Sequence, residues 1–447
     1  MKKEMEQTPL VSPNREVLRL AIPSILANIT IPLVGIVDVA IVGHVSDAAG
    51  IGGIAIGTML FDLLYWNFGF LRLGASGLTA QAYGRGDMRE AVGIFKQTGF
   101  IAGCSALAVW ALQWLFLFAV MSFVPCSEAV AAFAREYFFI RIWAAPATLG
   151  LMVYKGWFIG MQNTVAPMVC DIAVNVVNML VSYVLAVYTP LGMMGVAYGT
   201  LCAQYTGLLL ATALLWHRYG RIFRDHWRQV RLFQGIKKVF RLSGDLFVRS
   251  LCFIVIYVGF TSLASKYGDQ QLAVGTIMMK LFMFFSYFID GFAYAGEALT
   301  GRFIGERNSD GLTRAVRVLF RWTIGVGLLF TVAYAVSGDL SVRAMTSDLS
   351  VIASSQPFLL WLVLMPLISC LAFMWDGIYI GATAGKSVRN CMIWAAVGFV
   401  ATYFVCERWF GVQAIYIGYF VHLLVRTIYL SVKWKRTRRT ALWQPPD

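Results

Sequence analysis

Long apolar runs recur along the whole chain, separated by short polar stretches. They fall near 17–42, 51–80, 91–120, 130–160, 165–188 and 194–216. After a longer polar segment they resume near 242–264, 272–304, 315–336, 352–381, 389–405 and 411–434. About 20 apolar residues, rising about 1.5 Å each as a helix, cross a hydrocarbon core of about 30 Å. The pattern therefore predicts an all-α polytopic membrane protein with twelve transmembrane helices. Several runs exceed the minimum length, which predicts tilt or extension beyond the bilayer.

Composition agrees. Of the 447 residues, 59% are hydrophobic and only 13% charged, where soluble domains carry about 25% charged residues. A soluble enzyme, a disordered protein and a secreted disulfide scaffold are poor fits. The net charge of +14 would suggest nucleic acid in a soluble protein; here the basic residues sit between apolar runs, so no nucleic-acid partner is expected. With the N-terminus placed inside, 28 Lys and Arg fall in the inside segments, eight of them between Arg218 and Arg241. The outside loops carry only Lys266, Arg343 and Arg408. By the positive-inside rule both termini are expected in the cytoplasm, in a multi-pass protein of the plasma (cell inner) membrane. The polar N-terminus precedes an apolar run without a cleavage pattern, so no removed signal peptide is read.

The polar stretch 217–241 divides the chain into a first lobe at 1–216 and a second at 242–434, followed by a basic tail at 435–447. The halves repeat one another at an offset of about 220 residues: Val17-Leu18-Arg19-Leu20 with Val239-Phe240-Arg241-Leu242, Gly77-Leu78-Thr79-Ala80 with Ala298-Leu299-Thr300-Gly301, and Lys155-Gly156 to Gly160 with Asp376-Gly377 to Gly381. Six spans per half make the repeats parallel, a transporter design with a pseudo-two-fold axis along the membrane normal.

An ionised side chain at the bilayer centre costs roughly 2.5–3.5 kcal/mol on insertion scales, so each one calls for a partner or a task. Asp38 lies deep in the first run with no basic residue within a helical turn or two. A carboxyl there can gain a proton on one side and lose it on the other, or it can be a structural acceptor for a neighbouring Asn or Thr. Pro23 and Pro32 precede it and interrupt backbone hydrogen bonding, which favours bending. Asn175 and Asn178 sit three residues apart on one face of the fifth run; they could hold Asp38 or act as helix–helix glue. In the second half, Arg249, Lys280, Asp290, Glu297 and Asp376 form a possible ion site or a structural charge network. Asp62, Arg72 and Arg141 have no assigned role.

Candidate chemistry is otherwise sparse. The eight cysteines show no CxxC and the four histidines are scattered, so no metal site is suggested. Gly381 to Ser387 imitates a phosphate loop but has three residues between its glycines where four are needed. Gly53 with Gly57, and Gly99 with Gly103, form GxxxG pairs that suggest close helix packing. No nucleophile–base pair supports an intramembrane enzyme.

The chain resembles the MATE (multidrug and toxic compound extrusion) family, in its DinF-like branch. The resemblance rests on Ile22-Pro23-Ser24-Ile25-Leu26-Ala27-Asn28 running to Asp38 and Gly43-His44, on Gly77 to Gly84, on Asp290-Gly291-Phe292-Ala293-Tyr294-Ala295-Gly296-Glu297, and on Asp376 to Thr383. It implies twelve helices in two pseudo-symmetric lobes forming a V. It also implies export of small lipophilic, often cationic compounds in exchange for protons or sodium, without a further cofactor. The family's first-helix carboxylate falls on Asp38, its bending proline on Pro23, its fifth-helix Asn on Asn178, and its second-lobe acids on Asp290, Glu297 and Asp376. The acid often found four residues after that Asn is here Ser182, which weakens a sodium site in the first lobe. Proton coupling through Asp38 is therefore expected. The alternatives are sodium coupling and a lipid-linked precursor flippase of the same superfamily. Beyond substrate and lipid bilayer no partner is expected, and the chain is read as a monomer.

Overall fold

A computed structural model describes residues 12–45, 48–122, 124 and 126–439. The expected basic residues Lys2 and Lys3 and most of the expected tail, residues 440–447, lie outside the described residues. Twelve helical segments are long and apolar enough to cross a membrane, and no strand occurs among the described residues. In chain order the helices are α1 (Pro13–Val45), α2 (Ala48–Trp66), α3 (Phe70–Gly84), α4 (Met88–Met121), α5 (Glu128–Arg141), α6 (Ala145–Gly160), α7 (Val165–Tyr188) and α8 (Met194–His226). They continue as α9 (Ile236–Ser265), α10 (Asp269–Gly305), α11 (Ser309–Met345), α12 (Leu349–Ser355), α13 (Leu359–Gly381), α14 (Gly385–Phe410) and α15 (Gln413–Arg439). Three spans are jointed by a 3₁₀ turn: α2 to α3 at Asn67–Gly69, α5 to α6 at Ile142–Ala144, and α12 to α13 at Gln356–Phe358.

The chain forms two compact units, one of Met1–Ile25 with Val248–Asp447 and the other of Leu26–Phe247. Helices α1 and α9 are each shared, dividing after Ile25 and after Phe247. In the first unit the apolar core gathers Phe260, Phe282, Phe285, Leu362, Phe399 and Tyr416. In the second it gathers Leu60, Phe61, Tyr137, Phe138 and Ile142. Large apolar side chains also cover the outside, as at Phe118, Leu209, Val336 and Trp409. In water such an exterior would aggregate; against lipid tails it is the stable arrangement.

The sequence repeat is present in the backbone. Asp87 caps α4 by accepting from the Glu90 amide (2.8 Å), and Asn308 caps α11 by accepting from the Gly311 amide (2.8 Å). Gln162 and Thr383, in matching turns, both have positive φ (60° and 54°). A Cβ on Gly156 would fall on the carbonyl oxygen of Arg72, and one on Gly377 on that of Ala293. Each repeat thus packs two helices backbone to backbone, α6 on α3 and α13 on α10. Gly377→Leu is therefore expected to force the second pair apart, costing at least the 1–3 kcal/mol typical of overpacking. Its melting temperature in detergent should drop by several degrees; an unchanged melt would contradict the close approach.

The two GxxxG pairs part company. A Cβ added at Gly53 or Gly57 would strike Phe133 or Tyr137 of α5, whereas one at Gly99 or Gly103 would meet nothing within 4 Å among the described residues. Among the described residues the second pair therefore makes no close helix contact.

Candidate functional site

Asp38 lies on α1, seven residues before its end. The side chain is half-buried. Its Oδ1 is buried and accepts no hydrogen bond, and no ion pair to it occurs among the described residues. The nearest cationic influence comes from another helix: the charge of Arg141, at the end of α5, acts on both Asp38 and Asp62. Arg141 is engaged elsewhere. Its Nη1 donates to the Tyr137 hydroxyl at 3.0 Å, and its guanidinium lies 4.6 Å from the Phe61 ring centroid and 5.7 Å from that of Tyr137. Such a cation–π seat holds a guanidinium without neutralising it. Among the described residues the acid is thus unpaired, with a cation held at a distance.

Both fifth-span asparagines bond to other partners than Asp38. Asn175 Nδ2 donates to Thr30 Oγ1 on α1. Asn178 Nδ2 donates to Thr200 Oγ1 on α8 at 2.8 Å, and Thr200 in turn donates to the Val196 carbonyl at 3.0 Å. Three residues advance a helix by about 300°, leaving the two amides about 60° apart. That divergence sends one toward α1 and the other toward α8. Asn178 Oδ1 and Ser182 Oγ remain buried without a hydrogen bond. Pro23 and Pro32 are half-buried, and α1 continues through both. The division of α1 between the two units follows two residues after Pro23.

Among the described residues the second-half charges do not form one network. Asp376 Oδ2 accepts from Arg249 Nη2 at 2.8 Å and from Arg426 Nη2 at 2.7 Å. Arg426, on α15, is only 1% exposed and lies 5.3 Å from the Phe373 ring centroid. Glu297 is also 1% exposed, and Asp290 is half-buried. Lys280 is exposed and forms no ion pair among the described residues. Arg249 and Asp376 therefore belong to one triad, which Lys280 does not join. Among the described residues no three His, Cys, Asp or Glu side chains cluster as metal ligands.

Family membership follows from comparison of the whole chain. The MatE family model matches residues 23–184 and 246–405, one stretch in each repeat. The chain belongs to the MATE family. It is 31% identical to DNA damage-inducible protein F of Escherichia coli (strain K12) over 440 residues, covering 97% of this chain and 95% of that protein. That similarity places it in the DinF-like branch. It is 24% identical to multidrug and toxin extrusion protein 1 of Oryctolagus cuniculus over 353 residues, 76% of this chain and 60% of the relative. A crystal structure of a MATE protein in complex with MaL6 shares the fold at a TM-score of 0.84 with 18% identity, covering 96% of this chain and 97% of the other. This MATE chain is accordingly a multi-pass membrane transporter and not an enzyme.

Two site residues carry no role that the sequence pattern assigns. Arg426 obeys the same rule that marks Asp38, a charge inside an apolar span, here the run 411–434. Arg141 was visible but roleless, because its neighbours Tyr137 and Phe61 come from one turn back and from a separate helix.

Proposed function

We propose that this MATE protein is a secondary active antiporter, exporting small lipophilic, often cationic compounds in exchange for protons, with Asp38 as the coupling carboxylate. The observation that carries the reading is the state of Asp38: half-buried and, among the described residues, unpaired, with an oxygen that accepts no hydrogen bond from them. As an anion it attracts a cationic substrate. Protonation from the outside removes that attraction and releases the substrate; deprotonation inside restores it. A charge moved across the membrane supplies about 2.3 kcal/mol per 100 mV. Each tenfold proton gradient adds about 1.4 kcal/mol.

Ser182, where an acid would supply another hard oxygen, supports protons over sodium at this site. The basic loops support cytoplasmic termini in the plasma membrane. Arg141, a single cation held on aromatic rings, gives little support to a diphosphate-binding flippase.

Proteoliposomes with pH and sodium gradients imposed separately test the coupling. Ethidium movement is expected to follow the pH gradient and to ignore sodium. Movement that followed sodium alone would replace the proton by sodium. Binding of lipid-linked diphosphates in place of cationic dyes would favour the flippase.

A further inference from the structure

Helices α8 and α9 are joined by residues 227–235, which lie along the start of α4. Side chains of α4 hold this connection by its backbone. Arg89 Nη2 donates to the Gln229 carbonyl (3.1 Å), Lys96 Nζ to the Val230 carbonyl (3.1 Å) and Gln97 Nε2 to the Gln234 carbonyl (2.7 Å). Between α4 and the connection is a cavity of about 360 Å³. Arg89, Arg231 and Lys238 line it, with Asp87 and Glu90.

The two carboxylates are already engaged. Asp87 caps α4, and Glu90 pairs with Arg85 and, at 3.5 Å, with Lys238. Arg231 is exposed and forms no ion pair among the described residues. The segment 218–241, whose C-terminal part lines the cavity through Arg231 and Lys238, holds eight Lys and Arg against a single acid, Asp225. Two exposed rings come from the same pair of elements, Phe100 from α4 and Phe233 from the connection, two residues after Arg231. Phe233 is 71% exposed and meets the 40% exposed Phe100 with ring centroids 6.0 Å apart.

We propose that the cavity binds the phosphate headgroup of an anionic phospholipid, whose acyl chains run over Phe100 and Phe233. The cations answer the phosphate charge. The exposed rings, costly against water, are covered by lipid carbon at the end of the spans. A soluble phosphate would satisfy the cations alone, whereas a lipid whose chains run along Phe100, inside the span Met88–Met121, answers the cations and the apolar surface together.

The test is native mass spectrometry of the full chain, delipidated and then titrated with phosphatidylglycerol, phosphatidylcholine or inorganic phosphate. Phosphatidylglycerol is expected to bind at least tenfold better than phosphatidylcholine. Neutralising a cation near an anionic lipid costs about fivefold, so Arg231→Gln with Lys238→Gln should erase most of that preference, and Arg231→Gln alone part of it. Phe233→Ser should weaken phosphatidylglycerol binding. Arg218→Gln, Arg221→Gln and Arg224→Gln together, away from the cavity, should leave the preference in place. Equal binding of the two lipids would overturn the site, as would an unchanged preference in the cavity variants or equal loss in the distant triple variant. Full displacement by inorganic phosphate would identify a soluble-anion site in its place.

Discussion

Asp38→Asn is expected to reduce pH-gradient-driven dye efflux to the level of empty vesicles, a loss of at least tenfold. Asparagine keeps the size and polarity of the side chain but exchanges no proton. Nothing else on α1 can take over, because no second acid lies in its spanning residues Pro13–Val42 beyond Glu16 near the start. Asp38→Glu should keep measurable proton exchange, since the carboxyl remains although its reach changes. Substrate binding should become independent of pH in the Asn variant. The decisive measurement is efflux from proteoliposomes at equal protein content, with and without an imposed pH step. Undiminished efflux would remove Asp38 from the mechanism.

Asp376→Ala should be the most destabilising of the charge substitutions. It would strand two guanidinium groups, one of them on the almost completely buried Arg426. Breaking a buried pair by removing one partner typically costs 3–5 kcal/mol, a large part of the 5–15 kcal/mol that separates folded from unfolded domains. The variant is expected to aggregate or to melt well below the parent in detergent. Pairing Asp376→Leu with Arg249→Met and Arg426→Met should recover much of the loss, because replacing a whole buried charge cluster by apolar groups is often neutral. A single Asp376→Ala variant that melted with the parent would show that the triad contributes nothing to stability.

The spans were legible because bilayer thickness imposes itself directly on sequence. The expected run at 165–188 coincides with α7, Val165–Tyr188. The repeat was legible for a related reason: a glycine whose Cβ would strike a carbonyl cannot be exchanged freely, so Gly156 and Gly377 kept matching places. The 3₁₀ joints, such as Asn67–Gly69, left no such mark, since a local tightening of the helix changes neither hydrophobicity nor length. Helix α8 outran its apolar run, reaching His226, because a helix need not stop where the hydrocarbon does. At the site, a lone acid in an apolar run was conspicuous, but its surroundings were not. Arg249 and Arg426 meet Asp376 across sequence separations of 127 and 50 residues, and no local pattern records such a meeting. The same holds for Asn178 and Thr200, 22 residues apart on different helices.

The grip of α4 on residues 227–235 is made on carbonyl oxygens, and every amino acid supplies one. That strap is therefore indifferent to spelling and sensitive to spacing. Exchanging its side chains leaves the three acceptors where Arg89, Lys96 and Gln97 reach them, while losing one residue would pull the acceptors out of register together.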